Sequence, residues 1–137
     1  MKQIGKILLI DDDTITNFIS SKAIKAIDPT IEILIAQDGQ KGIEKLDEIL
    51  HNNEPLPSII FLDINMPIMD GWEFLDKILQ KNNPQLLVIS IYLYTSSVYI
   101  EDKNKASLYS IVKNIISKPF NAEIIKAILV ENNLLAA

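Results

Sequence analysis

Five short apolar runs alternate with five stretches of helical periodicity along this 137-residue chain. A strand covered on both faces reads as a near-continuous apolar run, and a helix between two such strands makes a parallel crossover. The pattern therefore predicts an α/β layer architecture around a parallel sheet. The apolar runs are Lys6–Ile10 (KILLI), residues 31–36 (IEILIA), Ile59–Leu62 (IIFL), residues 86–94 (LLVISIYLY), and the short pair Ile115 and Ile116.

Between them lie the helical stripes. Ile15, Phe18, Ile19, Ala23, Ala26 and Ile27 recur at helical spacing and stop at Asp28-Pro29, because a residue before proline is pushed out of the α region. Ile43, Leu46, Ile49 and Leu50 mark a second helix after the Asp38-Gly39 turn. A third starts at Gly71, carries Trp72, Leu75, Ile78 and Leu79, and stops at Asn82-Asn83-Pro84. Residues 98–109 form a weak fourth helix with a poor stripe. Asn121 caps the last, with Ile124, Ile125, Ile128 and Leu129; Leu134 and Leu135 either continue its face or fray.

Right-handed crossovers place the carboxyl ends of all parallel strands on one edge, where open α/β sheets keep their ligand sites. The residues that follow the runs are chemically loaded. Asp11, Asp12 and Asp13 follow the first run and Asp63 the third; Thr95, Ser96 and Ser97 close the fourth, and Lys118 follows the fifth. Taken singly, Asp13 reads as a helix cap and Lys118 as a surface lysine, while Asp63 reads equally as a turn residue or a site residue and Thr95 to Ser97 equally as a cap or part of a site. Their joint placement is what argues for a site. His51 reads as solvated, and Trp72 as packing.

Several carboxylates in one crevice repel, and a divalent cation relieves them. With no cysteine and a single histidine in the chain, hard oxygen ligands favour Mg²⁺ over a softer metal. Lys118 adds a cation able to meet carboxylate or phosphoryl oxygens, and Thr95 a hydroxyl. Carboxylate nucleophile, metal, cation and hydroxyl together form a phosphoryl-transfer constellation.

Length and composition suit one domain, residues 1–137, with 48% hydrophobic and 23% charged residues. The net charge of −5 and the want of a basic cluster argue against nucleic-acid binding. The first apolar run is too short for a signal peptide and meets acids at once, and no run approaches the roughly 20 residues of a membrane span. The chain reads as cytoplasmic, with no membrane partner.

At these residues the sequence resembles a two-component response-regulator receiver domain, the family of the bacterial chemotaxis regulator. The matching pieces are ILLIDDD (7–13), FLDINMPIMDG (61–71), YTSS (94–97) and SKPF (117–120), in the family's order and spacing. The resemblance implies a flavodoxin-like, doubly wound sheet in the order 2-1-3-4-5 with helices on both faces. It implies that Asp63 is the phosphoacceptor and Asp12 the direct Mg²⁺ ligand. Asp11 would act mainly through water, and the main-chain carbonyl of Asn65 would complete the protein's share of the shell. Thr95 would bond the phosphoryl group, Lys118 would pair with it, and Lys118-Pro119 would be a cis peptide. The donor would be a sensor histidine kinase or histidine phosphotransfer protein. Output would run through contact with a further protein, as a monomer or a phosphorylation-dependent dimer. The domain would be a switch with self-catalysed phosphotransfer and dephosphorylation rather than an enzyme.

Relatives carry an aromatic residue three positions before the conserved lysine. Here that switch position is Ile115, which has no ring or hydroxyl to reorient. Two other readings compete. A small Mg²⁺-dependent phosphohydrolase with an aspartyl nucleophile would need an acid two residues after it, where this chain has Asn65. A flavin-binding module would need a phosphate-cradling loop after the first strand, where three acids stand instead.

Overall fold

A computed structural model describes residues 5–96 and 98–136. Ser97, expected to close the fourth strand, lies outside them. The elements are β1 (Lys6–Ile10), α1 (Thr14–Ile27), β2 (Glu32–Ala36), α2 (Gly39–His51), β3 (Ile59–Leu62), α3 (Gly71–Lys81), α4 (Pro84–Leu87), β4 (Ser90–Thr95), α5 (Ile100–Ala106), β5 (Val112–Ser117) and α6 (Ala122–Glu131). All strand pairs are parallel and the order is β2-β1-β3-β4-β5, the flavodoxin-like arrangement.

The pleat sorts each strand's side chains between two cores. On one face Leu8 and Ile10 of β1, Ile60 and Leu62 of β3, and Ile91 and Leu93 of β4 pack on α2, α3 and α5. On the other, Ile7, Leu9, Ile59, Phe61, Tyr92 and Tyr94 pack on α1 and α6. Burial of each such aliphatic side chain contributes about 1.5–3 kcal/mol. Helices covering both faces explain why the interiors of these strands, Ile7–Ile10, Ile59–Leu62 and Ile91–Tyr94, run without a charged residue.

Sequence and structure part company in three places. The fourth strand starts at Ser90, not Leu86, because Pro84 at the first helical position opens a single turn capped by Asn83, whose Oδ1 accepts from Gln85 N at 2.9 Å. The fifth strand is longer than the pair Ile115 and Ile116. It carries a bulge: Ile91 pairs with Val112 but Tyr92 with Asn114, leaving Lys113 unopposed.

The third concerns α1. Ile15, Phe18, Ile19 and Ala26 are exposed, and the buried line is Asn17, Ser20 and Ile24. Polar side chains hold the inward face because each finds a partner there: Asn17 Nδ2 donates to Asp11 O at 2.9 Å, and Ser20 Oγ to the Tyr94 hydroxyl at 3.3 Å. A buried polar group so bonded carries little desolvation cost.

Beyond α6, Leu134 is buried and donates its N–H to Leu129 O at 2.8 Å. His51 is exposed. Trp72 is half-buried, stacks on Tyr109 at 5.7 Å and lies under Lys105 Nζ at 4.7 Å.

Candidate functional site

Register builds the site. Ile10 pairs with Leu62, so Asp11 and Asp63 leave neighbouring strands at one level. Asp63 N donates to Ile10 O at 2.9 Å, and Asp11 N to Ala36 O at 3.0 Å. Thr95 pairs with Ser117, and Lys118 N donates to Thr95 O at 2.7 Å. Four strand ends thus meet, although their residues are far apart in the chain.

Carboxylate oxygens of Asp11, Asp12 and Asp63 lie within 4.8 Å of one another. Asp11 and Asp63 are buried, at 3% and 8% exposure, while Asp12 is exposed. Lys118 Nζ bridges the buried pair, 2.5 Å from Asp11 Oδ2 and 3.5 Å from Asp63 Oδ1. The remaining contacts orient these carboxylates. Asp63 Oδ1 accepts from Ile64 N, and Asp11 Oδ1 from Asp13 N, both at 2.9 Å.

Burial, and then the charge of Asp11, push the Asp63 carboxyl up to about 6, against the opposing pull of Lys118 and the Ile64 N–H. Burial works against the Lys118 ammonium, but the bond to Asp11 and the charge of Asp63 outweigh it and raise its pKa. Asp13 stands apart. It caps α1, accepting from Ile15 N and Thr16 N, and the bond from Thr16 holds its carboxyl below the usual range.

Thr95 ends β4 and is buried; Asn65 is exposed in the loop two residues past Asp63. The Lys118-Pro119 peptide is cis. Ile115 is half-buried opposite Leu93, among the residues that pack on the α5 side of the sheet. Gly71 makes the loop after Asp63 possible: a Cβ there would stand 2.5 Å from Asp63 O and 3.0 Å from Ile64 Cα. Asp70 and Glu73 form a reciprocal cap on α3, fixing where that loop ends.

Sequence reasoning missed the buried polar pair Asn17 and Ser20 and the hydrogen bonds that the Tyr94 hydroxyl accepts from Ser20 Oγ and Phe120 N. The signal was available, since Asn17 and Ser20 stand three apart and share one helical face.

A doubly wound parallel sheet with clustered carboxylates and a lysine at its carboxyl edge defines a class of phosphoryl-handling signalling domains. The chain belongs to the response regulator receiver domain family, whose model matches residues 7–130. Members of this family act in two-component, phosphorylation-dependent signalling.

The crystal structure of a two component response regulator from Cytophaga hutchinsonii superposes with a TM-score of 0.87 at 33% identity, covering 96% of this chain and 98% of that one. Response regulator Rcp1 of Synechocystis is 33% identical over 92 residues, which are 66% of this chain and 61% of Rcp1. Hybrid signal transduction histidine kinase L of Dictyostelium discoideum is 30% identical over 129 residues, 93% of this chain but 7% of that protein. The chain therefore spans less than two thirds of the length of these two relatives. Among the described residues, no helix is long and apolar enough to cross a membrane.

Proposed function

We propose that this chain is a phosphorylation-dependent switch that accepts a phosphoryl group on Asp63 from a histidine kinase or a histidine phosphotransfer protein. The observation that carries the reading is the junction of Asp11, Asp12 and Asp63 within 4.8 Å, with Lys118 Nζ 3.5 Å from Asp63. Three carboxylates without sulfur or imidazole suit a hard divalent cation. Receiver domains bind Mg²⁺ at their acidic pocket; here Asp11, Asp12, Asp63 and the main-chain carbonyl of Asn65 would hold it. When bound, Mg²⁺ supplies positive charge against the phosphoryl oxygens and the crowded carboxylates.

The chain's own residues do the rest. The Asp63 oxygen attacks phosphorus in line; the P–O bond to Asp63 forms as the P–N bond of the phosphoimidazole breaks, and the electron pair leaves with the ring. Lys118 meets the charge on the transferring group, and the Thr95 hydroxyl donates to one of its oxygens. The product is an acyl phosphate that water later hydrolyses in the same crevice. Its phosphoryl group, at about −1.5 to −2, replaces the single charge of the Asp63 carboxylate, so the strand ends gain up to about one further negative charge. That charge draws Thr95 and Lys118 toward it and biases the packing of α5, β5 and α6, whose surface is read by a further protein.

Acetyl phosphate with Mg²⁺ tests the reading. The wild-type protein is expected to gain the mass of one phosphoryl group and Asp63→Asn to gain none. A wild type that stays unmodified under those conditions, or an Asp63→Asn variant that is modified equally, refutes the assignment.

A further inference from the structure

We propose that Tyr94 is a positioning residue for Lys118, acting through the 118–120 segment; the inference rests on the assignment of Asp63 and Lys118 above. Lys118 leaves the end of β5, which among the described residues is an edge strand paired with β4 alone. An edge strand has half the lateral support of a central one, so a side chain at its tip needs fixing from elsewhere. Two consecutive residues of β4 provide it. Thr95 O accepts from Lys118 N at 2.7 Å, and the Tyr94 hydroxyl accepts from Phe120 N at 3.1 Å. The segment is thus tied at both ends to the strand beside it.

The ring adds two further holds. Tyr94 stacks on Phe120 with centroids 4.1 Å apart and planes 8° from parallel, and Lys118 Nζ lies 5.4 Å from the centre of the Tyr94 ring. Phe61, two residues before Asp63 on β3, meets Phe120 edge-on at 4.7 Å. The strand carrying the phosphoacceptor and the segment carrying the lysine therefore share one aromatic cluster. Ser20 Oγ donates to the Tyr94 hydroxyl from α1 at 3.3 Å, so the hydroxyl is held in turn. Tyr94 itself is buried; it acts by keeping the ammonium between Asp11 and Asp63.

Tyr94→Phe retains the stack and the ring beneath Nζ but drops the bonds that the hydroxyl accepts from Phe120 N and from Ser20 Oγ. With acetyl phosphate and Mg²⁺ its maximal phosphorylation rate is expected to fall about fivefold, the worth of the bond that ties Phe120 N to β4, with the half-saturating donor concentration unchanged. Phe120→Leu, which removes the stacked ring from the other side, is expected to slow the same step. In a Lys118→Ala background, Tyr94→Phe is expected to have no further effect, because the group it positions is gone.

Wild-type rates in both single variants overturn the proposal. So does a Tyr94→Phe effect that persists undiminished in Lys118→Ala, which marks a structural role alone. A wild type that takes up no phosphoryl group removes the assignment of Asp63 and this inference with it. A phosphorylated wild type with an unaffected pair of variants removes only this inference.

Discussion

Lys118 Nζ lies 2.5 Å from Asp11 Oδ2, joining residues 107 positions apart in the chain. The contact is largely desolvated, with side-chain exposures of 14% and 5%. Removing one partner of such a pair leaves the other charge buried and unmatched. Lys118→Ala is therefore expected to lower stability by about 3 kcal/mol, with Asp11 and Asp63 left to repel each other. Millimolar Mg²⁺ is expected to raise the melting temperature of both proteins, and more so in Lys118→Ala, where the carboxylates have lost their cation. Thermal melts with Mg²⁺ and with chelator measure it; an equal Mg²⁺ response in the two proteins contradicts the electrostatic account.

The Asp63 carboxyl gives a pH dependence whose sign is fixed. Its value is about 6 in the folded chain, against 3.8 for the free group. Between those values the native state binds the extra proton, so stability falls as pH rises from about 4 to about 6 and is level above. The whole effect is on the order of 2–3 kcal/mol. Asp63→Asn carries no such charge. In metal-free buffer its stability advantage over wild type is expected to open across that window and to be small below it. Denaturant titrations across the pH range test this; a constant difference between the two proteins would rule it out.

Gly71 is the point where the loop after Asp63 folds back on its own strand, and Gly71 N donates to Ile64 O at 2.8 Å. A Cβ would press on the Asp63 carbonyl at 2.5 Å, and a backbone atom cannot swing aside as a side chain does. Gly71→Ala is expected to cost about 2 kcal/mol and to slow phosphorylation, because relief requires moving Asp63 itself. A variant with wild-type melting and wild-type phosphoryl uptake would show that the loop gives way elsewhere.

The sheet was legible in the sequence because strands covered on both faces are apolar through most of their length, and four of the five runs have chemically loaded ends. Asp11, Asp12, Asp63, Thr95 and Lys118 could be placed on one edge from topology alone, and the structure brings Asp11, Asp12, Asp63 and Lys118 within reach of one another. Where reading failed, local rules met tertiary ones. Leu86 and Leu87 are as apolar as a strand, yet Pro84 and the Asn83 cap turn them into helix. The stripe Ile15, Phe18, Ile19 has helical spacing, yet it faces outward because Asn17 and Ser20 have buried partners on the inward side. The bulge at Lys113 left no mark in the sequence, since it is a matter of pairing between strands.

Ile68 supplies a last test, in the loop between Asp63 and α3. It is a β-branched residue at φ 69° and is 79% exposed. An L-residue in the left-handed region costs roughly 1–2 kcal/mol, and branching at Cβ adds to the crowding. With so little surface buried, packing returns little of that cost. Glycine would remove the clash but add about 0.5–1 kcal/mol of unfolded-state entropy. Ile68→Gly is thus expected to gain about 0.5–1 kcal/mol net, raising the melting temperature by about 2–4 °C. Ile68→Val, still branched at Cβ, is expected to melt with wild type. Equal stabilisation by valine and glycine would mean that the strain is not what the substitution relieves.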